Sequence, residues 1–337
     1  MKALVIKNPG EAAVETVAEP AKPVEDLLLQ VRMVGLCGSD LNSFRGKNPL
    51  VTFPRIPGHE VAATIVQGNS AMPKLAVGTH VTMSPYTSCG KCASCLRGRP
   101  NACQFNQTLG VQRDGAMTEF ITMPAEKLYP ANLSIKELCL VEPLTVGFHA
   151  AARGRITEQD TVAVFGCGGV GLGAIAASHF FGARTIAVDI DEAKLEIARK
   201  AGADITIDTR REQPHQRLLE ITNGRGPDVV IEAIGLPQTF RSAVEEVSFT
   251  GRVVYIGYAK EPVAYETRLF VQKELDIMGS RNALPEDFRR VISMLEERRF
   301  PVEDAVSSVV PVEEAPGILR EWSDNPSRFT KIMVNMS

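Results

Sequence analysis

The chain has no uninterrupted run of about 18 apolar residues, the length a membrane helix needs, so no segment reads as a span. It also lacks a dense basic stripe. With 37 lysines and arginines against 40 acidic residues the formal charge is -3, which argues against a nucleic-acid surface. Tandem repeats and low-complexity segments are absent. The opening Met1-Lys2-Ala3-Leu4-Val5-Ile6-Lys7 reads as a strand and lacks the long apolar core of a secretory leader, so a cytoplasmic location is the default expectation. Cysteine is sparse: seven in 337 residues, which suits a reducing compartment better than a disulfide framework. What remains is a 44% apolar, 23% charged chain, long enough for two domains with substantial cores.

Four of the seven cysteines fall within fifteen residues, at Cys89, Cys92, Cys95 and Cys103. These spacings let four thiolates converge tetrahedrally on one zinc, the closed arrangement of a structural metal loop. Around the loop, up to about residue 145, the pattern is short strands at 28–34, 60–66, 79–83 and 117–123, punctuated by glycine and proline. From residue 161 the rhythm changes. Strands are expected at 161–165, 185–188, 205–207, 228–232, 252–256 and 275–278, with helices at 174–181, 192–201, 238–247 and 285–297. Such alternation predicts an α/β fold with a parallel sheet covered by helices. The tail, at 306–310, 312–319 and 331–334, returns to strand-like material and is expected to rejoin the first domain.

Gly166-Cys167-Gly168-Gly169-Val170-Gly171 follows the strand at 161–165 and opens a helix. The first glycine permits a tight turn, the second lets backbone approach a pyrophosphate, and the third allows helix–strand contact. The pyrophosphate then lies at a helix N-terminus. Asp189, 23 residues after Gly166, is placed to accept hydrogen bonds from the adenosine ribose and to repel a 2′-phosphate, which predicts NAD and not NADP. Asp191 is better suited to capping the next helix. Lys194 is expected near the ribose, and Ile234 and Ile256 against the cofactor; Cys167 is read as a small turn residue.

A second metal set is offered by Gly35-Leu36-Cys37-Gly38-Ser39-Asp40, by Gly58-His59-Glu60 and by Val141-Glu142-Pro143. A thiolate, an imidazole and a carboxylate with one exchangeable position make a catalytic zinc site, unlike the closed four-thiolate loop. Cys37 as core filler and His59 as a hydrogen-bonded core histidine are the plainer readings. They lose ground beside a dinucleotide motif and a structural zinc loop, because the three features make one chemical sense. Zinc would polarise a substrate hydroxyl and lower its pKa, and hydride would pass to nicotinamide. Ser39 is placed to relay the hydroxyl proton, and Asp40 to hold neighbouring groups by hydrogen bonds.

These elements together, with Glu142-Pro143-Leu144, resemble the zinc-dependent medium-chain alcohol and polyol dehydrogenases over essentially the whole chain. The resemblance implies a GroES-like catalytic domain over 1–147, a Rossmann NAD-binding domain over 148–290, and a C-terminal segment over 291–337 returning to the catalytic domain. It further implies a cleft that closes on the cofactor, two zinc ions per chain, and a homodimer or homotetramer. Glu60 inherits the role of completing the zinc shell, and Glu142 that of contacting the zinc water or entering the shell. Two positions depart from the family: Asn42 stands where a relay histidine is common, and Ala63 where Gly-His-Glu-x-x-Gly ends in glycine. Asparagine cannot take up a proton near neutral pH.

For substrate, Arg281 in Gly279-Ser280-Arg281-Asn282 is expected to recognise hydroxyl or carboxylate groups. Gln112-Arg113-Asp114, Arg45 and Asn48 are expected to join it, with Phe44 as an apolar wall. The run from Met278 to Phe288 resembles the L-galactonate and L-gulonate 5-dehydrogenase subgroup, which implies oxidation at C5 of a hexonate. Sorbitol or another polyol and L-threonine are the alternative substrates, and a non-enzymatic NAD-binding regulator is the alternative from another class.

Overall fold

The computed structural model describes residues 1–21, 26–68 and 74–336. The chain divides into two compact units, one of residues 1–142 with 302–337 and the other of residues 143–301. The tail therefore closes the first unit, and the second is an insertion in it. The resemblance put the boundaries at 147/148 and 290/291; contacts put them at 142/143 and 301/302. The later second boundary follows from the helix Pro285–Glu296. It buries Phe288, Val291, Met294 and Leu295, and its Asp287 accepts a 2.9 Å hydrogen bond from His149 of the second unit.

The first unit is built on a seven-stranded sheet. Its order runs Ser308–Pro311, Ile332–Asn335, Leu27–Leu36, Glu60–Gln67, His80–Met83 and Leu128–Pro130, with Phe120–Met123 also paired to Leu27–Leu36. In the central strand Leu27, Leu29, Val31 and Val34 are buried, the alternation of a sheet with one face on the core. Register shifts between Val31 and Met33, which brings Gly35 opposite Glu60. A hairpin of Lys2–Asn8 and Glu11–Thr16 adds Leu4 and Ile6 to the same core.

The second unit holds six parallel strands in the order Ile205–Asp208, Arg184–Asp189, Thr161–Phe165, Val229–Glu232, Arg252–Tyr255 and Asp276–Gly279. Numbered along this unit the order is 3-2-1-4-5-6, the doubly wound arrangement whose ligand crevice opens where the order reverses, between Thr161–Phe165 and Val229–Glu232. Ala163, Phe165, Ile186, Val188, Val230 and Val253 form its core.

Three local expectations change. Residues 312–319, read as strand-like, form a 3-10 turn at Val312–Glu314 and the helix Ala315–Asp324. Buried Ala315, Leu319 and Trp322 recur at helical spacing, a period that outweighs the β-branched residues before them. The helix after the glycine turn begins at Gly169, not at 174, because the turn itself supplies the first helical residues. A 19-residue helix, Ile135–Arg153, stands where no helix was expected. Leu138, Cys139, Leu140, Val141, Leu144 and Phe148 are all buried, so no polar stripe marks its period, and Pro143 inside it reads as a breaker. Among the described residues no helix is long and apolar enough to cross a membrane.

Candidate active site and metal centres

Strand Leu27–Leu36 delivers Cys37 to the start of the short helix Gly38–Phe44. Asp40, fully buried in that helix, ties the local chain together: one oxygen accepts the Cys37 amide at 2.9 Å, the other the Gly58 amide at 3.3 Å. The loop before Glu60–Gln67 thus sets His59 beside Cys37, with Glu60 opening the neighbouring strand. Ligand atoms of Cys37, His59 and Glu60 all lie within 4.8 Å of one another. Gly35 is required by this arrangement. A Cβ there would fall 2.0 Å from a Glu60 carboxylate oxygen, so any side chain would push that oxygen aside.

The cluster is largely buried and rich in acidic groups. Burial opposes a charge on His59, yet Asp40, Cys37 and Glu142 around it outweigh burial and raise its proton affinity well above the ordinary value. Burial also raises the carboxyls of Asp40 and Glu142. His59 Nδ1 is buried with no hydrogen-bond partner among the described residues, 3.9 Å from Asp40. Soft thiolate, borderline imidazole and hard carboxylate donors in an acid-rich, buried spot suit zinc.

Two partners of this cluster had no signal in the sequence. Lys331, buried beside the last strand, places its ammonium 2.6 and 2.7 Å from the two Glu60 oxygens and 3.4 Å from the Leu36 carbonyl. Burial works against its charge, and Glu60 with Cys37 more than restores it. It lies 271 residues from Glu60, so no local spacing points to the pair. The Tyr86 hydroxyl donates to Glu142, which reaches the cluster from the helix Ile135–Arg153. Burial and then Glu142 push the Tyr86 hydroxyl's pKa far up. Glu142 is outside the three-donor group and is held by Tyr86, whereas Glu60 is inside it. Ser39 Oγ is buried with no hydrogen-bond partner in the described residues.

The second metal set is the cysteine lobe between His80–Met83 and Phe120–Met123. Cys92 Sγ lies 3.5 Å from Cys95 Sγ and 3.8 Å from Cys103 Sγ, and all four ligand sulfurs fall within 4.8 Å. A tetrahedron with metal–sulfur distances of about 2.3 Å has edges of about 3.8 Å, so the sulfurs stand where zinc requires them and far outside disulfide range. Amides aim at them: Cys92 N at Cys89 Sγ, and Cys89 N and Phe105 N at Cys103 Sγ, at 3.3–3.4 Å. The Ser94 hydroxyl beside Cys92 helps hold its thiol down at about 5.

In the second unit the glycine turn lies at the switch point. Gly166 has φ +97°, and a Cβ on Gly171 would sit 1.8 Å from the Gly166 carbonyl oxygen, so both positions exclude a side chain. A Cβ on Gly168 would meet nothing within 4 Å, which leaves open space before the first turn of the helix Gly169–Phe180. That space, lined by helix-terminal amides, fits a diphosphate. Val170 lies in the same first turn. Asp189 closes Arg184–Asp189 and accepts the Cys167 amide at 2.7 Å and the Ile190 and Asp191 amides at 2.7 and 3.0 Å. Asp191 caps the next helix through the amides of Ala193 and Lys194. Ile234 is 43% exposed, Ile256 is buried, and Cys167 is buried inside the turn.

Two family models cover most of this architecture: an alcohol dehydrogenase GroES-like domain over residues 23–133 and a zinc-binding dehydrogenase domain over 169–297. A sorbitol dehydrogenase of Bacillus subtilis is 35% identical across 99% of this chain and 97% of its own. The chain belongs to the zinc-type medium-chain alcohol dehydrogenases. An L-galactonate-5-dehydrogenase of Escherichia coli is 30% identical over 89% of this chain and 88% of its own. Among solved structures, an alcohol dehydrogenase of Escherichia coli with NADH aligns at TM-score 0.91, 26% identity, covering 100% of this chain and 99% of its own. A dehydrogenase of Sinorhizobium meliloti with NADP aligns at 0.90 and 28%, covering 99% of each. Those two structures hold different dinucleotides, NADH in one and NADP in the other.

The expected substrate residues fare unevenly. Arg45 donates to the Ser323 hydroxyl at 3.1 Å and to the Ser323 carbonyl, so it serves the helix Ala315–Asp324. Asn48 is held by Ser43 and Leu50, Gln112 by the Thr108 amide, and Asp114 by Arg55 and the Ile56 amide. Phe44 is 3% exposed and packs in the core of the first unit. Arg113 is half-buried, with a long 3.5 Å contact to the Pro85 carbonyl. Arg281 is exposed after the strand Asp276–Gly279. Arg45, Asn48 and Gln112 thus each have a local hydrogen-bond partner.

Proposed function

We propose that this dehydrogenase oxidises a secondary hydroxyl of a small polyhydroxylated substrate, with NAD as acceptor, and that the substrate is a hexonate of the L-gulonate or L-galactonate kind oxidised at C5. The convergence of Cys37, His59 and Glu60 within 4.8 Å carries the reaction class. Bound there, zinc supplies Lewis acidity that lowers the pKa of an alcohol, and the nicotinamide accepts hydride. Cys37, His59 and Glu60 hold the metal; Asp40 fixes the two loops that carry them. Glu142, oriented by Tyr86, would offer a hydrogen-bond acceptor beside the metal. The orphaned Ser39 hydroxyl accepts the substrate proton and passes it to a cofactor hydroxyl or to water, since Asn42 cannot take it up.

The hexonate reading rests on the 30% identical L-galactonate relative and on Arg281, a guanidinium suited to two-point recognition of a carboxylate. A neutral polyol is the second reading, favoured by the sorbitol relative at 35% and by the local engagement of Arg45 and Asn48. Self-association as a dimer or tetramer is part of the proposal. A panel of hexonates, hexitols and L-threonine, followed at the nicotinamide absorbance, tests the substrate class. The hexonate reading expects the highest kcat/KM on a hexonate and a loss of about tenfold or more in Arg281→Ala, the scale of one charged hydrogen bond. A preference for hexitols untouched by that change would give the function to the second reading.

A further inference from the structure

Glu232 ends the strand on the far side of the switch point and is fully buried, and its two carboxylate oxygens are treated unequally. Oε1 accepts the amides of Ile234 and Gly235 at 3.0 and 2.7 Å and lies 2.7 Å from the Thr239 hydroxyl. Oε2 is buried with no hydrogen-bond partner in the described residues, and a Cβ on Gly257 would sit 2.4 Å from it. The backbone carbonyl of the same residue accepts the amides of Ile256 and Gly257 at 2.9 and 3.1 Å. One residue therefore pins two loops, 233–236 and 256–258. These loops press on one another, since a Cβ on Gly235 would lie 2.9 Å from the Tyr258 carbonyl oxygen. The first also closes on the glycine turn: a Cβ on Gly166 would fall 2.6 Å from Ile234 Cγ1, and the Ala233 amide bonds Phe165 O at 2.9 Å.

A fully buried carboxylate with one unpaired oxygen is expensive, and an apolar residue would serve the sheet better. Its three donors instead all belong to the 234–239 segment, and that segment presents Ile234, 43% exposed, beside the glycine turn. We propose that Glu232 is a positioning residue for the dinucleotide: it fixes the 233–236 loop so that Ile234 stands at the glycine turn as a preformed apolar wall for the cofactor. Glu232 itself does not touch the cofactor; it acts through Ile234 and Gly235. Burial raises the Glu232 carboxyl above its ordinary value, so glutamine, which keeps an acceptor oxygen without charge, is the conservative replacement. The proposal rests on the NAD reading.

The test titrates NADH fluorescence on the zinc-loaded wild type, E232A, E232Q and T239V, alongside steady-state kinetics, zinc content and Tm. Losing a set of charge-assisted hydrogen bonds is expected to raise the E232A Kd for NADH, and its KM for NAD, by about 10- to 100-fold. Its kcat at saturating NAD and its two zinc ions should stay within about twofold of wild type. E232Q should bind NADH within about threefold of wild type, and T239V, which loses one donor, two- to fivefold more weakly. A folded E232A with unchanged NADH affinity overturns the proposal, as does a lower Tm in every variant with no change in Kd. Should E232A fail to fold, an unchanged Kd in T239V overturns it and a raised one supports it. A wild type that binds no NADH would overturn the cofactor reading itself.

Discussion

Lys331 decides what Glu60 can do. Its ammonium sits on both carboxylate oxygens, and Glu60 is also one of three donors close enough to share a metal. In the metal-free protein the lysine is the main compensation for a buried carboxylate; under the proposed ligation a zinc ion would share that task. Removing one partner of a buried pair costs about 3–5 kcal/mol when nothing replaces it. K331M is therefore expected to lower the Tm of the zinc-stripped chain strongly and that of the zinc-loaded chain much less. Equal losses in the two forms would mean that Glu60 is not a ligand. Asp189 carries a second residue-scale prediction. D189A removes the carboxylate proposed to repel a 2′-phosphate and the acceptor of the Cys167 amide. The ratio of kcat/KM for NAD over NADP should fall by about 10- to 100-fold, with KM for NAD rising because the glycine turn loosens. Retained discrimination in steady-state assays would contradict the assignment.

At the scale of elements, the site is a product of strand register. The shift between Val31 and Met33 sets Gly35 across from Glu60, and the missing side chain leaves room for the carboxylate. G35A is expected to displace the flexible end of Glu60 and weaken zinc at the Cys37 site while costing only about 1–3 kcal/mol of stability. Metal competition with a chromophoric chelator reads the first effect and thermal unfolding the second. The cysteine lobe behaves separately: C103A should lose one zinc per chain and leave the Cys37 site loaded. Much of this was readable in advance. The glycine turn and the four lobe cysteines are local patterns, legible from spacing along the chain, whereas Cys37 and His59 come from separate loops and the choice of Glu60 beside them came from the family resemblance. Lys331 and Tyr86 escaped because their partners lie 271 and 56 residues away. The helix Ile135–Arg153 escaped because it is buried on nearly every side and so shows no amphipathic period. Arg45 and Asn48 looked like substrate groups from their closeness to the metal loop, but proximity in sequence says nothing of partners such as Ser323, 278 residues on.

For the whole molecule, two units divide the work. One, residues 1–142 with 302–337, gathers both metal sets; the other, residues 143–301, carries the dinucleotide turn at the switch point of its sheet. Closing the first unit with the C-terminal strand is what brings Lys331 to Glu60, so the metal site depends on both ends of the chain. The most direct test of the account is zinc stoichiometry in C37A, measured together with alcohol-dependent NAD reduction. The account predicts two zinc ions in the wild type, one in C37A, and no detectable hydride transfer by the variant. A C37A chain that keeps both ions and its activity would contradict it.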